Sequence, residues 1–402
     1  MLKAAIMGFG TVGSGVYEIL EKNADVVSKN AAQPIEVKYI LDLRDFPQCS
    51  FQEKFVKDFA VIENDPEVAI VAEAMGGKGA AYEFTKRCLL AGKHVVTSNK
   101  ELVAAYGAEL LQIAKEHNVN YLFEASVGGG IPIIRPMFQC LTANHMTEIS
   151  GILNGTTNYI LTRMIRAGLP FSDALHEAQA KGYAEANPSA DVDGLDACRK
   201  VCILSSIAYG DHVYPEFVET EGISKITLND VEYADKADCV VKLLGRTVLN
   251  DDGSIYAFVA PHFVSKSSPL ASVEGVFNAI MITGDMLGES MFYGQGAGKL
   301  ATASAVVADM IDCARHNEKR RNIIWGDGSK KLVRPLESYA SRWYVRRKGS
   351  DSAEKLSAAF AGCTLLPSEN GEAACLTEKI TTKEMKEICQ QLENVASCMR
   401  IL

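Results

Sequence analysis

Short apolar runs alternate with amphipathic stretches through the first third of the chain. Leu2–Met7, Ile35–Leu41, Val68–Met75, His94–Thr97 and Val119–Ala125 read as strands. Most are near-continuously apolar, as in a parallel sheet covered on both faces. Between them, helical spacing predicts helices from about Val12 to Lys22 and through Lys86 to Leu90. This alternation predicts an α/β domain. Ser98-Asn99-Lys100-Glu101 reads as a capping box, with Ser98 the cap and Glu101 at the third helical position. Lys100 then sits in a first helical turn, against the helix dipole. Ligands bind at strand carboxyl ends in such sheets, so this local conflict marks Lys100 as a candidate site residue. The alternative is an exposed lysine.

Beyond about residue 131 the pattern changes. Met146–Leu153 is a strand, Tyr159 to Arg166 a helix, and Ser172 caps another. Strands such as Ser254–Pro261 alternate with turns and predict a mixed sheet. A glycine loop, Phe292–Lys299, opens a helix from Leu300 to Arg315 that could return to cover a ligand of the first domain. Then come the strand Arg342–Arg347, a helix from Ser352 to Ala361, the strand Ala373–Thr377, a helix from Thr382 to Leu392 and the strand Ser397–Ile401. That order resembles a small ACT-type regulatory domain, the alternative being a plain oligomerisation appendage.

The first strand runs into Gly8-Phe9-Gly10-Thr11-Val12-Gly13, the G-x-G-x-x-G fingerprint between a strand and a helix. Gly8 permits the tight turn, Gly10 lets a pyrophosphate approach, and Gly13 allows close helix–strand packing. The helix N-terminus then faces the phosphates. Asp42 and Arg44 end the second strand. An acid there bonds ribose hydroxyls and favours NAD, whereas an arginine meets the 2′-phosphate of NADP. Both are present, so the preference stays open.

The stretch Gly182–Lys200 gathers Glu185, Asp191, Asp193, Asp196 and Lys200. Asp193 can cap the helix that begins at Leu195, and Asp196 and Lys200 then share a face. A lysine among carboxylates at the edge of an apolar helix is a candidate proton donor. A solvated ion pair is the plainer alternative. Glu124 ends an apolar strand beside Ser126-Val127-Gly128-Gly129-Gly130-Ile131-Pro132. One carboxylate with several carbonyls suits a hard cation. Alternatively, Glu124 accepts N–H groups of the glycine loop.

Composition narrows the class. The 402 residues suggest two or three domains, and the 48% hydrophobic content can build sizeable cores. A net charge of −9 argues against nucleic-acid or anionic-membrane partners. No apolar run reaches the length of a membrane span. The chain enters a strand at once, so the expectation is no signal peptide and a cytoplasmic enzyme. The 11 cysteines are scattered and read as buried thiols of a reducing compartment. The Asn154-Gly155-Thr156 sequon is then accidental, and no histidine cluster suggests zinc.

These segments together resemble homoserine dehydrogenase over nearly the whole chain. The specific pieces are Ser98-Asn99-Lys100, Glu124–Pro132, Gly151-Ile152-Leu153-Asn154-Gly155-Thr156-Thr157-Asn158-Tyr159, Gly182–Lys200 and Tyr293–Gly298. The resemblance implies reversible NAD(P)-dependent reduction of aspartate 4-semialdehyde to homoserine, in threonine, methionine and isoleucine biosynthesis. It implies Lys200 as acid/base and Lys100 as a second active-site lysine near the nicotinamide. Glu185 and Asp196 would hold the amino acid, and Asp191 matches a further acidic position although Ala186-Asn187 depart from the usual wording. Gly182 and Gly298 would lie against the cofactor. Glu124, with the carbonyls of Val127, Gly129 and Ile131, would hold sodium. The implied plan is a Rossmann-type domain over 1–130, completed by about 296–330, an α+β mixed-sheet catalytic and dimerisation domain over 131–299, and an ACT-like βαββαβ domain over 338–402. A homodimer or homotetramer is expected, with an amino-acid effector such as threonine. Two other classes make different demands on the chain. An acyl-enzyme dehydrogenase would need an exposed cysteine and a histidine, and Cys198 lies inside a helix. A non-catalytic NAD(P) sensor would not need Glu185, Asp196 and Lys200.

Overall fold

The computed structural model describes residues 1–316, 323, 325–366 and 371–402. Residues 317–322 and 324, within the expected completion of the first domain, lie outside these, as do 367–370 of the C-terminal segment. The chain forms two compact units. One comprises Met1–His145, Cys202–Pro215 and Gly294–Lys330, and the other Met146–Val201, Glu216–Tyr293 and Lys331–Leu402.

In the first unit the strands are β1 Leu2–Met7, β2 Ile35–Leu41, β3 Phe55–Val56, β4 Val68–Glu73, β5 His94–Thr97 and β6 Tyr121–Leu122. They lie in the order β3-β2-β1-β4-β5-β6, with every pair parallel. This is the doubly wound order of dinucleotide-binding folds. Ala4–Met7, Ile70–Ala72, Val95 and Val96 are fully buried, because helices cover both faces. The helix Lys299–Arg315 returns to this unit and ties to the fingerprint helix Thr11–Lys22 through Lys299 and Glu18, 2.7 Å apart.

The second unit holds β7 Met146–Ile152, β8 Glu219–Thr220, β9 Cys239–Leu249, β10 Ile255–Ser265, β11 Phe277–Gly284, β12 Gly288–Gln295, β13 Ala340–Lys348, β14 Thr364–Leu366, β15 Glu372–Leu376, β16 Ile380–Thr381 and β17 Val395–Ile401. Their main path runs β12-β11-β7-β9-β10-β17-β13-β15-β14. β10 is antiparallel to β9 but parallel to β17, so the sheet is mixed and runs unbroken into the C-terminal strands. β14 is too short for its pattern to register in the sequence. With it, and with the two-residue β16 that pairs β13, the described part of the C-terminal segment reads strand–helix–strand–strand–short strand–helix–strand. Its two helices pack Leu356 and Met385 with Trp343, Val345 and Cys375 into a separate core. A buried seam ties this segment to the helix Leu228–Lys236: Tyr344 and Arg346 both donate to Asp230 at 3.0 Å.

Several boundaries differ from the sequence expectation. Asn99, not Ser98, caps the helix Lys100–Glu116, its side chain accepting from Leu102 N–H. Lys100 is therefore its first residue. Asp193 is the C-cap of the short helix Ser189–Val192, and Gly194 separates it from the helix Leu195–Tyr209. Pro170, not Ser172, precedes the helix Phe171–Ala180. The cysteines are free thiols, but Cys140 and Cys398 are exposed rather than buried. Among the described residues no helix is long and apolar enough to cross a membrane.

Candidate active site

The fingerprint loop frames a cavity of about 860 Å³ in the first unit, lined by Gly8, Gly10, Thr11, Val12, Asp42, Arg44, Ser98, Asn99 and Lys100 among others. Gly8 has φ +91°, a conformation that favours glycine. A Cβ on Gly13 would lie 1.9 Å from the Gly8 carbonyl, so only glycine lets the helix start this close to β1. Gly10 precedes the helix, which has no side-chain cap and no acid in its first turn. Its N–H groups and dipole suit a phosphate. Phe9 serves otherwise. Its ring is buried against Tyr17, Phe46, Phe51 and Phe55, and its N–H donates to Asp42 Oδ2 at 2.8 Å.

Asp42 also accepts from Arg44, through the main-chain N–H and Nε on Oδ1 and through Nη2 on Oδ2 at 2.8 Å. The guanidinium first, and the two backbone donors with it, hold the Asp42 carboxyl well below the usual carboxylate range. With four donors on its two oxygens, Asp42 has little left for a ribose. Arg44 remains 63% exposed at the cavity. Lys57 also lines the cavity and donates to the Leu43 carbonyl, a cation that sequence reading missed.

In the same unit Glu124 is buried. Oε1 accepts Ile133 and Ile134 N–H at 2.6 and 2.9 Å, and Oε2 accepts Arg135 N–H at 2.7 Å. The carboxylate thus closes the start of the helix Ile134–Gln139: it accepts backbone N–H groups, but from the helix start and not from the glycine loop of the plainer alternative. Burial raises its pKa while these donors lower it. Two donors fill Oε1, but Oε2 with one donor keeps room for a cation. Val127, Gly129 and Ile131 form the buried turn beside it. Gly298 opens the helix Lys299–Arg315.

The second unit gathers the acid and lysine groups. Lys200 is 6% exposed. Its ammonium donates to the Leu153 carbonyl at 2.6 Å and to Asp196 Oδ2 at 2.8 Å. The solvated-pair alternative is excluded, because Asp196 is buried too. Asn154 draws the cluster together. Its Nδ2 donates to Asp196 Oδ2 at 2.8 Å and to Asp191 Oδ1 at 2.7 Å, while its Oδ1 caps the helix Gly155–Ala167. The Asn-Gly-Thr-Thr-Asn run is therefore this helix's start, and the helix begins earlier than the Tyr159 expected. Thr156 Oγ1 reaches the Tyr183 carbonyl at 2.6 Å, fixing the loop that carries Gly182 and Glu185. Both residues are exposed. The run that holds Leu153 and Asn154 stood out in the sequence, but neither residue was given a role there. Their signal was a polar residue ending an apolar strand.

Fold and cavity together are those of a dinucleotide-binding protein. Residues 8–124 match the family model described as homoserine dehydrogenase, NAD binding domain, and residues 132–311 the one described as homoserine dehydrogenase. A homoserine dehydrogenase from Synechocystis sp. is 45% identical over 77% of this chain and 73% of its own. The crystal structure of the Thiobacillus denitrificans homoserine dehydrogenase superposes with a TM-score of 0.91 at 33% identity, covering 100% of this chain and 98% of that one. A hyperthermophilic archaeal homoserine dehydrogenase in complex with NADPH matches at 30% identity and a TM-score of 0.66, over 77% of this chain and 97% of its own. The chain belongs to the homoserine dehydrogenase family, and its activity is that of a homoserine dehydrogenase.

Proposed function

We propose that Lys200 is the acid/base residue in the reversible reduction of aspartate 4-semialdehyde to homoserine. The observation that carries this is its buried ammonium, held between Asp196 and the Leu153 carbonyl. Reduction of an aldehyde develops an alkoxide, which needs a cation or a proton at its oxygen. A lysine ammonium supplies both. Asp196 offsets the charge of that ammonium and Asn154 orients Asp196. Glu185, Asp191 and Asp196 suit the ammonium of the amino-acid substrate. The bound dihydronicotinamide supplies the hydride. Lys100 is the second lysine, acting on the cofactor side. Lys200→Ala is expected to lower kcat by about 10²-fold or more, with cofactor affinity nearly unchanged. NAD(P)H oxidation and cofactor titration test this, and near-native turnover in a folded variant refutes the role.

The fingerprint loop, Arg44 and the glycines 182 and 298 form the cofactor-binding set of this reading. With Asp42 committed to Arg44, the arginine is the group presented at the adenosine end, which favours NADPH. Oε2 of Glu124 and the carbonyls of Val127, Gly129 and Ile131 suit a sodium ion. Thermal stability insensitive to exchange of sodium for a bulky cation would exclude that. The edge strand β12 and its turn expose Met286, Leu287, Met291 and Tyr293, which supports a homodimer across this edge, or a homotetramer. A monomer in sedimentation would remove it. The βαββαβ order and antiparallel pairing of the C-terminal strands suit an ACT-like domain with an amino-acid effector, threonine first.

A further inference from the structure

Glu73 ends β4 and is completely buried. Among the described residues no cation pairs with it, and burial raises its pKa. Dipoles hold it instead. Thr97 Oγ1 donates to Oε2 at 2.6 Å, and Met75 N–H donates to Oε1 at 2.8 Å. Gly76 N–H and the Asn99 side chain also contribute.

The network runs on from there. The Thr97 hydroxyl accepts Asn99 N–H at 2.9 Å. Asn99 Oδ1 caps the next helix through Leu102 N–H at 3.1 Å, and its Nδ2 donates to the Gly77 carbonyl at 2.7 Å. One carboxylate therefore ties together the ends of β4 and β5, the turn Ala74–Gly77 and the start of a helix. That turn, Asn99 and Lys100 all line the cofactor cavity. Lys100 is the first residue of the helix so anchored.

A neutral clamp would hold two strand ends without taking a carboxylate out of water. An ionised one bonds its donors more strongly and fixes the geometry more tightly. We propose that Glu73 is a positioning residue for Lys100, setting through Thr97 and Asn99 where the lysine is presented to cofactor and substrate. This rests on the reading of Lys100 as an active-site lysine.

The test compares Glu73→Gln, Thr97→Val, Thr97→Ser and Lys100→Gln, with Glu73→Gln also made in the Lys100→Gln background. Turnover, KM and cofactor Kd are measured for each. Glu73→Gln and Thr97→Val are expected to lower kcat about tenfold or more, with cofactor Kd changed less than about threefold. Thr97→Ser, which keeps the hydroxyl, should restore most of that kcat. In the Lys100→Gln background Glu73→Gln should cost little further, because a residue acting through Lys100 has nothing left to orient. If Glu73→Gln lowers melting temperature and cofactor affinity but leaves kcat intact, the role is structural and the proposal falls. If Lys100→Gln impairs turnover but Glu73→Gln adds its full factor to it, Lys100 stands and Glu73 does not act through it. If Lys100→Gln turns over normally, the underlying reading fails and the proposal with it. Should Glu73→Gln not fold, the Thr97 pair carries the same comparison.

Discussion

At the scale of single residues, buried charge decides most of the chemistry. Lys242 in β9 is a second buried lysine, outside the site, donating to the Val273 carbonyl and to Asn158 Oδ1. Burial lowers its pKa to about 8. In the unfolded chain it titrates near 10.4, so between these values the unfolded state binds the extra proton. Stability should then rise with pH across that window, by up to ~3 kcal/mol. Below pH 8 both states are charged and the full desolvation cost is present. Denaturant unfolding from pH 8 to 10.5 should give a smaller rise for Lys242→Met, and identical slopes would refute this. Arg44 is the other residue with a directional consequence. Arg44→Ala should weaken NADPH binding by about tenfold or more through loss of a charge-assisted contact. NADH should be affected little, and equal losses in a cofactor titration would remove the 2′-phosphate role.

At the scale of elements, one residue can end a strand, start a helix and build a site. Asn154 follows β7, caps the helix Gly155–Ala167 and bonds both Asp191 and Asp196. Substitution separates these duties. Asn154→Ala should lose ~1 kcal/mol of stability with the cap and also lower kcat. Asn154→Ser keeps a capping oxygen but cannot donate to two carboxylates. Its melting temperature should stay near native while kcat falls about tenfold, a loss of ~1.4 kcal/mol in transition-state stabilisation. Equal activity in Asn154→Ser and the native enzyme would reduce Asn154 to a cap.

At the scale of the whole molecule, the C-terminal segment continues the mixed sheet of the second unit. It has its own core. Yet β17 pairs with β10, Leu336 packs on Phe258 and Ala260, and Arg346 meets Asp230. A chain ending at Pro335 should retain turnover at saturating substrate and, if the proposed effector role of the tail holds, be insensitive to threonine that inhibits the full chain. It should also melt several degrees lower, because the edge of β10 and the Asp230 carboxylate lose their partners. Turnover, threonine inhibition and thermal melts check this. A truncated protein that folds and binds cofactor but cannot turn over would make the tail part of the active site.

The sequence by itself determined the parallel α/β alternation, the fingerprint loop and the Asp196–Lys200 spacing. Each is local: a strand period, a turn that admits only glycine, two side chains four apart on a helix. Only the tertiary structure decided that Asp42 is committed to Arg44, that Glu124 accepts three helix N–H groups, and that Asn154 joins Asp191 to Asp196. It also put β17 beside β10 across more than a hundred residues of chain. Apart from Asp42 and Arg44, which are two residues apart but lie beside the Phe9 N–H that also claims the carboxylate, these bonds join groups separated by nine residues or more. The choice among partners for a carboxylate depends on which donors burial brings within reach, and no local pattern records that.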